Sequence, residues 1–325
     1  MNHLKLWLVS ICFYLSIMTW NLNNWISVWM IMEVSVLFLV GLMSMDSNYM
    51  SSSLMMKFFI IQLLISLAFM MTALVYIMNM FMVSCNFICL MFLLMKMGMF
   101  PFHFWLISIL GKMNWLSFFV LSTFMKLPPL NLSYYLFDFS NLMLIVSSSL
   151  VVGSLLGMNN LSIQKILGYS SMTHLCWIIL SLIMSLPVYW FYFIGYSYTM
   201  IILLSLFSKL NMFYLNQFKL YHHNKFYLFS VLFIILSLSG FPPFIGFMMK
   251  WVVSSFMTFC NIKMLISLMV SFSVFSTVFY FQLFYYFILV YNLNFKLYSG
   301  TYKGTFLFKL MFLVLSFYLL VYFLI

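Results

Sequence analysis

The chain has 325 residues, 66% of them hydrophobic and 5% charged, with a formal net charge of +11. A soluble domain carries about 25% charged residues, so this composition cannot coat a water-facing surface and lipid must act as its solvent. The positive charge does not mark nucleic-acid binding, because the 14 basic residues, all lysine, are scattered singly and form no patch.

A bilayer core requires about 20 apolar residues per helix. Apolar runs separated by polar, proline or glycine punctuation predict eleven spans, near 4–20, 25–43, 54–82, 85–100, 114–134, 140–157, 166–186, 188–210, 226–251, 262–292 and 306–325. The run at 54–82 is long enough to tilt. The first run has no small-residue cleavage site and reads as a span rather than a removable signal. No linker is long enough to separate a soluble domain, so residues 1–325 are expected to form one polytopic, all-α membrane domain. With eleven spans, alternate loops share a side. The set comprising the N-terminus and the loops near 44–57, 101–113, 158–165, 211–225 and 293–309 holds Lys5, Lys57, Lys112, Lys165, Lys219, Lys225, Lys296, Lys303 and Lys309, with Lys209 at its margin. The opposite set holds Lys263 and Asp138. That bias places the N-terminus on the matrix or cytoplasmic side.

The cysteines lie in or beside apolar runs and include no CxxC pair; Cys85 and Cys89, one helical turn apart, read as small buried hydrophobes. Asp46, His222 and His223 read as solvated loop residues. No GxGxxG, no phosphate-binding GxxxxGK[ST] and no paired carboxylates occur, so hydrolytic or redox chemistry has no residues to work with.

Four charged residues fall inside spans: Glu33 in the second, Lys96 in the fourth, Lys126 in the fifth and Lys250 late in the ninth. A charge at a helix centre costs roughly 2.5–3.5 kcal/mol, and four unpaired ones about 10 kcal/mol, comparable to the stability of a whole domain. They must face the bundle interior, pair, or meet water. Each lysine also lies beside a helix-breaking sequence: Gly98 and Pro101 after Lys96, Pro128 and Pro129 after Lys126, Pro242 and Pro243 before Lys250. The functional reading is a proton relay. The plain alternative is a structural Glu33–Lys96 pair beside lysines supplied by AT-rich coding, with Lys250 and Trp251 forming an interfacial anchor. His103, just past Pro101, and His174, in the hydroxyl-rich GYSSMTHLCW, are further proton carriers or hydrogen-bonded structural groups.

The segments MKMGMFPFHFW (95–105), NNLSIQKILGYSSMTHLCW (159–177) and LSLSGFPPFIGFMMKW (236–251) resemble those of the chain 2 family of NADH–ubiquinone oxidoreductase. Its members are mitochondrially encoded, antiporter-like subunits of the membrane arm of respiratory complex I. MEVSVLFLVGLM (32–43), MKFFIIQLL (56–64) and TFMKLPPL (123–130) extend the resemblance in order over residues 30–255. It implies a bundle with antiporter-like inverted repeats and discontinuous helices in the mitochondrial inner membrane. It also implies proton translocation driven by electron transfer in other subunits, which would hold NADH, FMN, the iron–sulfur clusters and ubiquinone; no cofactor is expected in this chain. Neighbouring antiporter-like subunits and phospholipids, cardiolipin among them, are the implied partners. By motif, Glu33 pairs with Lys96, and Lys126 and Lys250 continue the path. The family's Trp-Gln before the fifth-span lysine is Phe-Met here, and Met249 replaces a proline before Lys250. In this scheme a nearby Glu33 favours charged Lys96, separation favours release of its proton, water carries it to Lys126, and Lys250 releases it away from the basic loops. A stand-alone cation/proton antiporter and a purely structural membrane scaffold are the rival functions.

Overall fold

The computed structural model describes residues 2–45, 49–78, 82–136, 139–215, 217 and 225–293. The expected last span, Asp46, Asp138, His222, His223, Lys219, Lys296, Lys303 and Lys309 lie outside the described residues. The chain divides into two compact units, Met1–Val152 and Gly153–Ile325.

The N-terminal unit contains α1 (Asn2–Met18), α2 (Trp25–Ser44), α3 (Tyr49–Ile77), α4 (Met82–Met97), α5 (His103–Leu110), α6 (Trp115–Ser122) and α7 (Leu127–Leu136). α8 (Phe139–Met158) runs through the unit boundary. Helices are the expected element here, since each satisfies its own backbone without water. Serines follow the same economy: Ser35 Oγ donates to the Met32 carbonyl at 2.7 Å and Ser66 Oγ to that of Leu63 at 2.8 Å. α1 packs on α2, α2 on α3 and α3 on α4, while α7 packs against α2 and α4. Asn131 of α7 donates to the Thr19 carbonyl at 2.6 Å, tying α7 to the turn that ends α1.

α4 stops at Gly98, which has φ 70°. The Gly98 amide donates to the Met95 carbonyl at 3.1 Å and the Met99 amide to that of Leu94 at 3.0 Å. These two bonds make a Schellman cap, which needs a residue tolerant of left-handed backbone. The Trp105 indole donates to the same Met95 carbonyl at 3.0 Å, drawing α5 against the end of α4. The stretch 101–113 is therefore not the loop expected from sequence. Pro101 and Gly111 bracket an apolar helix too short to register as a span.

The fifth expected span is also divided. α6 ends at Ser122, a 3-10 turn covers Phe124–Lys126, and α7 begins at Leu127. Pro128 and Pro129 lie in the first turn of α7, where a missing N–H costs nothing. The interruption lies one turn before the prolines in sequence. Their effect reaches back to Phe124 and Met125, whose carbonyls have no N–H from position i+4 to receive.

The C-terminal unit is built from α9 (Ile163–Met184), α10 (Leu186–Leu210), α11 (Lys225–Ser239), α12 (Ile245–Phe259) and α13 (Lys263–Leu293). α9 is the core element, buried along almost its whole length and packed by α10, α12 and α13. The expected single span 226–251 is two helices. α11 ends at Gly240, φ 86°, with the same cap as α4: Gly240 N–H to the Ser237 carbonyl at 3.2 Å and Phe241 N–H to that of Leu236 at 3.3 Å. Pro242 and Pro243 occupy the link, and the chain re-enters a helix at Ile245. A Cβ on Gly246 would overlap the Ser237 carbonyl oxygen, so α12 starts in direct backbone contact with α11.

Among the described residues, six helices are long and apolar enough to cross a membrane: His3–Asn21, Trp25–Ser44, Ser51–Tyr76, Ile163–Met184, Leu186–Leu210 and Lys263–Phe281. The apolar segments Cys85–Met97, Met143–Met158, Phe229–Ser239 and Ile245–Phe259 are shorter. A 15-residue helix is about 22 Å long, short of the roughly 30 Å hydrocarbon core, so interrupted helices do not span singly.

The cap of α4 is testable. A Cβ at position 98 would lie 2.7 Å from Leu106 Cβ and demand left-handed backbone of a non-glycine residue. Gly98→Ala is expected to cost about 1–3 kcal/mol, seen as a lower midpoint of thermal unfolding of the detergent-solubilised protein. Gly41→Ala, where a Cβ meets nothing within 4 Å, is expected to leave the midpoint unchanged or raise it.

Candidate functional site

Lys96 stands in the last turn of α4 rather than at mid-helix. A cation there complements the carbonyl end of the helix. Its ammonium also donates to Glu33 Oε1 of α2 at 2.9 Å. The lysine side chain is 6% exposed and the glutamate 23%. The charge that hydrocarbon disfavours thus meets one full negative charge and the partial charges of a helix end.

Lys126 closes the 3-10 turn between α6 and α7 and is buried. It lines one cavity together with Lys96, Ser35, Gln62 and Met125. The space accommodates about one water molecule. The two lysines nominated from sequence therefore border a common, mostly apolar pocket inside the N-terminal unit. Two of its walls were missed by reading charges alone. Gln62 is 3% exposed, and its signal was available as a lone amide in the apolar run FFIIQLLISL. Ser35 lies two residues after Glu33 and had no distinguishing mark. His103 does not join this group: it opens α5, is buried, and its ring lies 4.1 Å from that of Phe104 and 6.1 Å from that of Phe100.

In the C-terminal unit Lys250 lies inside α12, not at the end of a long span. Trp251 is exposed while the Lys250 ammonium turns inward and donates to the Ser239 carbonyl at 2.9 Å, so the two residues do not form a shared interfacial anchor. Ser239 is the last residue of α11, so this carbonyl belongs to a helix C-terminus. Gly240 makes the approach possible, because a Cβ there would be 2.9 Å from Lys250 Nζ. The Gly195 backbone of α10 likewise lets Met249 come close.

His174 is buried at the middle of α9. Its Nδ1 is 2.9 Å from the Tyr192 hydroxyl of α10, and its ring centroid is 5.0 Å from that of Tyr196. Tyr192 was not nominated from sequence; one tyrosine among 21 carries no mark of its own. Cys89 donates to Thr72 Oγ1 at 3.3 Å and packs between α3 and α4. Among the described residues no group of three or more His, Cys, Asp or Glu side chains is placed to hold a metal ion. Each unit thus buries ionisable side chains among neutral polar and aromatic groups.

The family model described as NADH:quinone oxidoreductase/Mrp antiporter, TM, matches residues 22–279. NADH-ubiquinone oxidoreductase chain 2 of Locusta migratoria is 31% identical over 259 residues, covering 78% of this chain and 76% of that protein. The protein of the same name from Anopheles gambiae is 31% identical over 266 residues, with the same coverage. In fold, a chain of respiratory complex I from Thermus thermophilus superposes with a TM-score of 0.71 at 20% identity, over 80% of this chain and 64% of that one. A chain of the Mrp complex from Dietzia sp. DQ12-45-1b gives 0.67 at 15% identity, over 79% of this chain and 55% of that one. The present chain thus spans less than two thirds of either bacterial chain. With the model matched along most of its length and the insect proteins aligned over three quarters of theirs, the chain belongs to the NADH-ubiquinone oxidoreductase chain 2 family.

Proposed function

We propose that this chain is a proton-translocating membrane subunit of respiratory complex I in the mitochondrial inner membrane. The observation that carries the reading is the Glu33–Lys96 pair at 2.9 Å beside a water-sized cavity that Lys126 shares. The chain acts as one polytopic domain of about eleven spans, with interrupted helices and the N-terminus on the matrix side, as the lysine bias directs. Protons are carried by Glu33, Lys96 and Lys126 in the N-terminal unit and by His174 and Lys250 in the C-terminal unit; His103 is a lesser candidate. NADH, FMN, iron–sulfur clusters and ubiquinone are handled by other subunits, and the partners of this chain are neighbouring membrane-arm subunits and phospholipids.

The energy scale fits such a role. Removing one member of a buried ion pair costs about 3–5 kcal/mol, and moving one charge against 100 mV costs about 2.3 kcal/mol. Separating Glu33 from Lys96 therefore changes the lysine's environment by more than the work of moving one proton against 100 mV.

Two experiments on the assembled complex test this. Lys96→Met is expected to lower the number of protons pumped per electron pair while NADH oxidation with an uncoupler continues; an unchanged ratio overturns the proposal. Glu33→Gln alone is expected to lower assembly, and Glu33→Gln with Lys96→Met to recover assembly without recovering pumping. If the double variant pumps normally, the pair is only structural. Lys126→Met separates the proposal from a scaffold: a relay loses pumping at normal assembly, whereas a scaffold loses assembly and keeps its pumping ratio.

A further inference from the structure

Tyr192 is completely buried, yet it carries a hydroxyl. A hydroxyl in an apolar interior is costly to leave unpaired. Among the described residues, His174 Nδ1 at 2.9 Å is the hydrogen-bond partner of the Tyr192 hydroxyl. Were Nδ1 to carry the proton and donate to the phenol oxygen, the phenol's own proton would lose its acceptor. The phenol therefore donates, Nδ1 accepts, and the neutral imidazole holds its proton on Nε2.

This arrangement restricts how His174 can be charged. With Nε2 already protonated, an additional proton must bind at Nδ1, and the Tyr192 hydroxyl covers that atom. We propose that Tyr192 is the entry group through which His174 is loaded and unloaded with its proton. On loading, the phenol's proton moves to Nδ1 as the phenol oxygen takes up one from a protonated water, which is left as neutral water; the phenol stays neutral and the imidazolium holds the charge. Unloading is the reverse, and the Nε2 proton stays in place throughout. The surroundings suit a transient cation. The Tyr196 ring, 5.0 Å away and tilted by 34°, lies within the roughly 6 Å over which an aromatic face attracts positive charge. Among the described residues, Tyr196 of α10, Tyr280 of α13 and Cys176 of α9 are titratable groups near Tyr192 besides His174. α12 contributes Lys250, whose ammonium is bonded to the Ser239 carbonyl, and α11 has no titratable side chain among those described.

The inference rests on His174 being a proton carrier, and the test keeps the two apart. In the assembled complex, Tyr192→Phe keeps the ring and removes the hydroxyl. Coupled proton pumping per assembled complex is expected to fall at least about a hundredfold, the lower end of general acid–base effects. His174→Gln is expected to fall similarly, and the double variant to be no worse than either alone, because both act on one step. Normal pumping by Tyr192→Phe beside defective His174→Gln overturns the entry role and leaves the carrier role standing. Normal pumping by His174→Gln overturns both. Tyr189→Phe removes another fully buried hydroxyl one turn away on α10; an equal loss in that variant, or additive losses in the double variant, also overturns the entry role.

Discussion

The cost of an ammonium group in hydrocarbon is the constraint from which the arrangement of this molecule follows. Lys96 and Lys250 escape it at the same kind of place, the carbonyl end of a helix that has been cut short. Lys96 lies two residues before the glycine that caps α4. Lys250 reaches back from α12 to the last carbonyl of α11, against the glycine that caps it. In both units the cap has the same hydrogen-bond pattern, is followed within a few residues by proline, and gives way to a new helix. An uninterrupted helix would bond the Ser239 carbonyl internally and leave Lys250 without that acceptor. The break between α11 and α12 thus supplies the partner of Lys250, while Lys96, in the last turn of α4, relies on Glu33.

Much of this was legible beforehand because charge in an apolar run is rare and glycine and proline are explicit punctuation. Glu33, Lys96, Lys126 and Lys250 stood out against their neighbours for that reason, and so did the breaks beside the lysines. What punctuation could not convey was what each break does. Pro128 and Pro129 looked like the site of an interruption, yet they lie in the first turn of α7 and break the chain one turn earlier, at Phe124–Lys126. Pro101 and Gly111 looked like the ends of a loop, but a Trp105 indole ten residues from its partner carbonyl folds the stretch between them into α5. Long-range side-chain bonds of that kind leave no periodic trace.

The same limit separates the charged groups from the neutral polar ones around them. Gln62 and Ser35 reach the Lys96–Lys126 cavity, and Tyr192 reaches His174, from helices remote in sequence. Serine is common in this chain and often satisfies itself locally, as its hydroxyl bonds to carbonyls one turn back illustrate; the phenol of tyrosine reaches further. Only coordinates distinguish a hydroxyl bonded to its own helix from one bonded across to a histidine.

The two lysines at capped helix ends are nevertheless compensated differently, and the difference bears on which can act as a switch. A helix terminus presents about half an elementary charge, fixed to backbone that moves only if the helix refolds. The Glu33 carboxylate presents a full charge on a rotatable side chain that is itself partly exposed. Rotating the Glu33 side chain breaks the ion pair at a cost of several kcal/mol but needs no change of fold, whereas the field of the α11 terminus at Lys250 changes only if the helix end itself rearranges. A group whose surroundings switch is suited to taking up and expelling a proton on command, and a group with constant surroundings to passing protons along. Glu33 is the only acidic residue the sequence places within a span, so in the proposed function the switch belongs to the N-terminal unit.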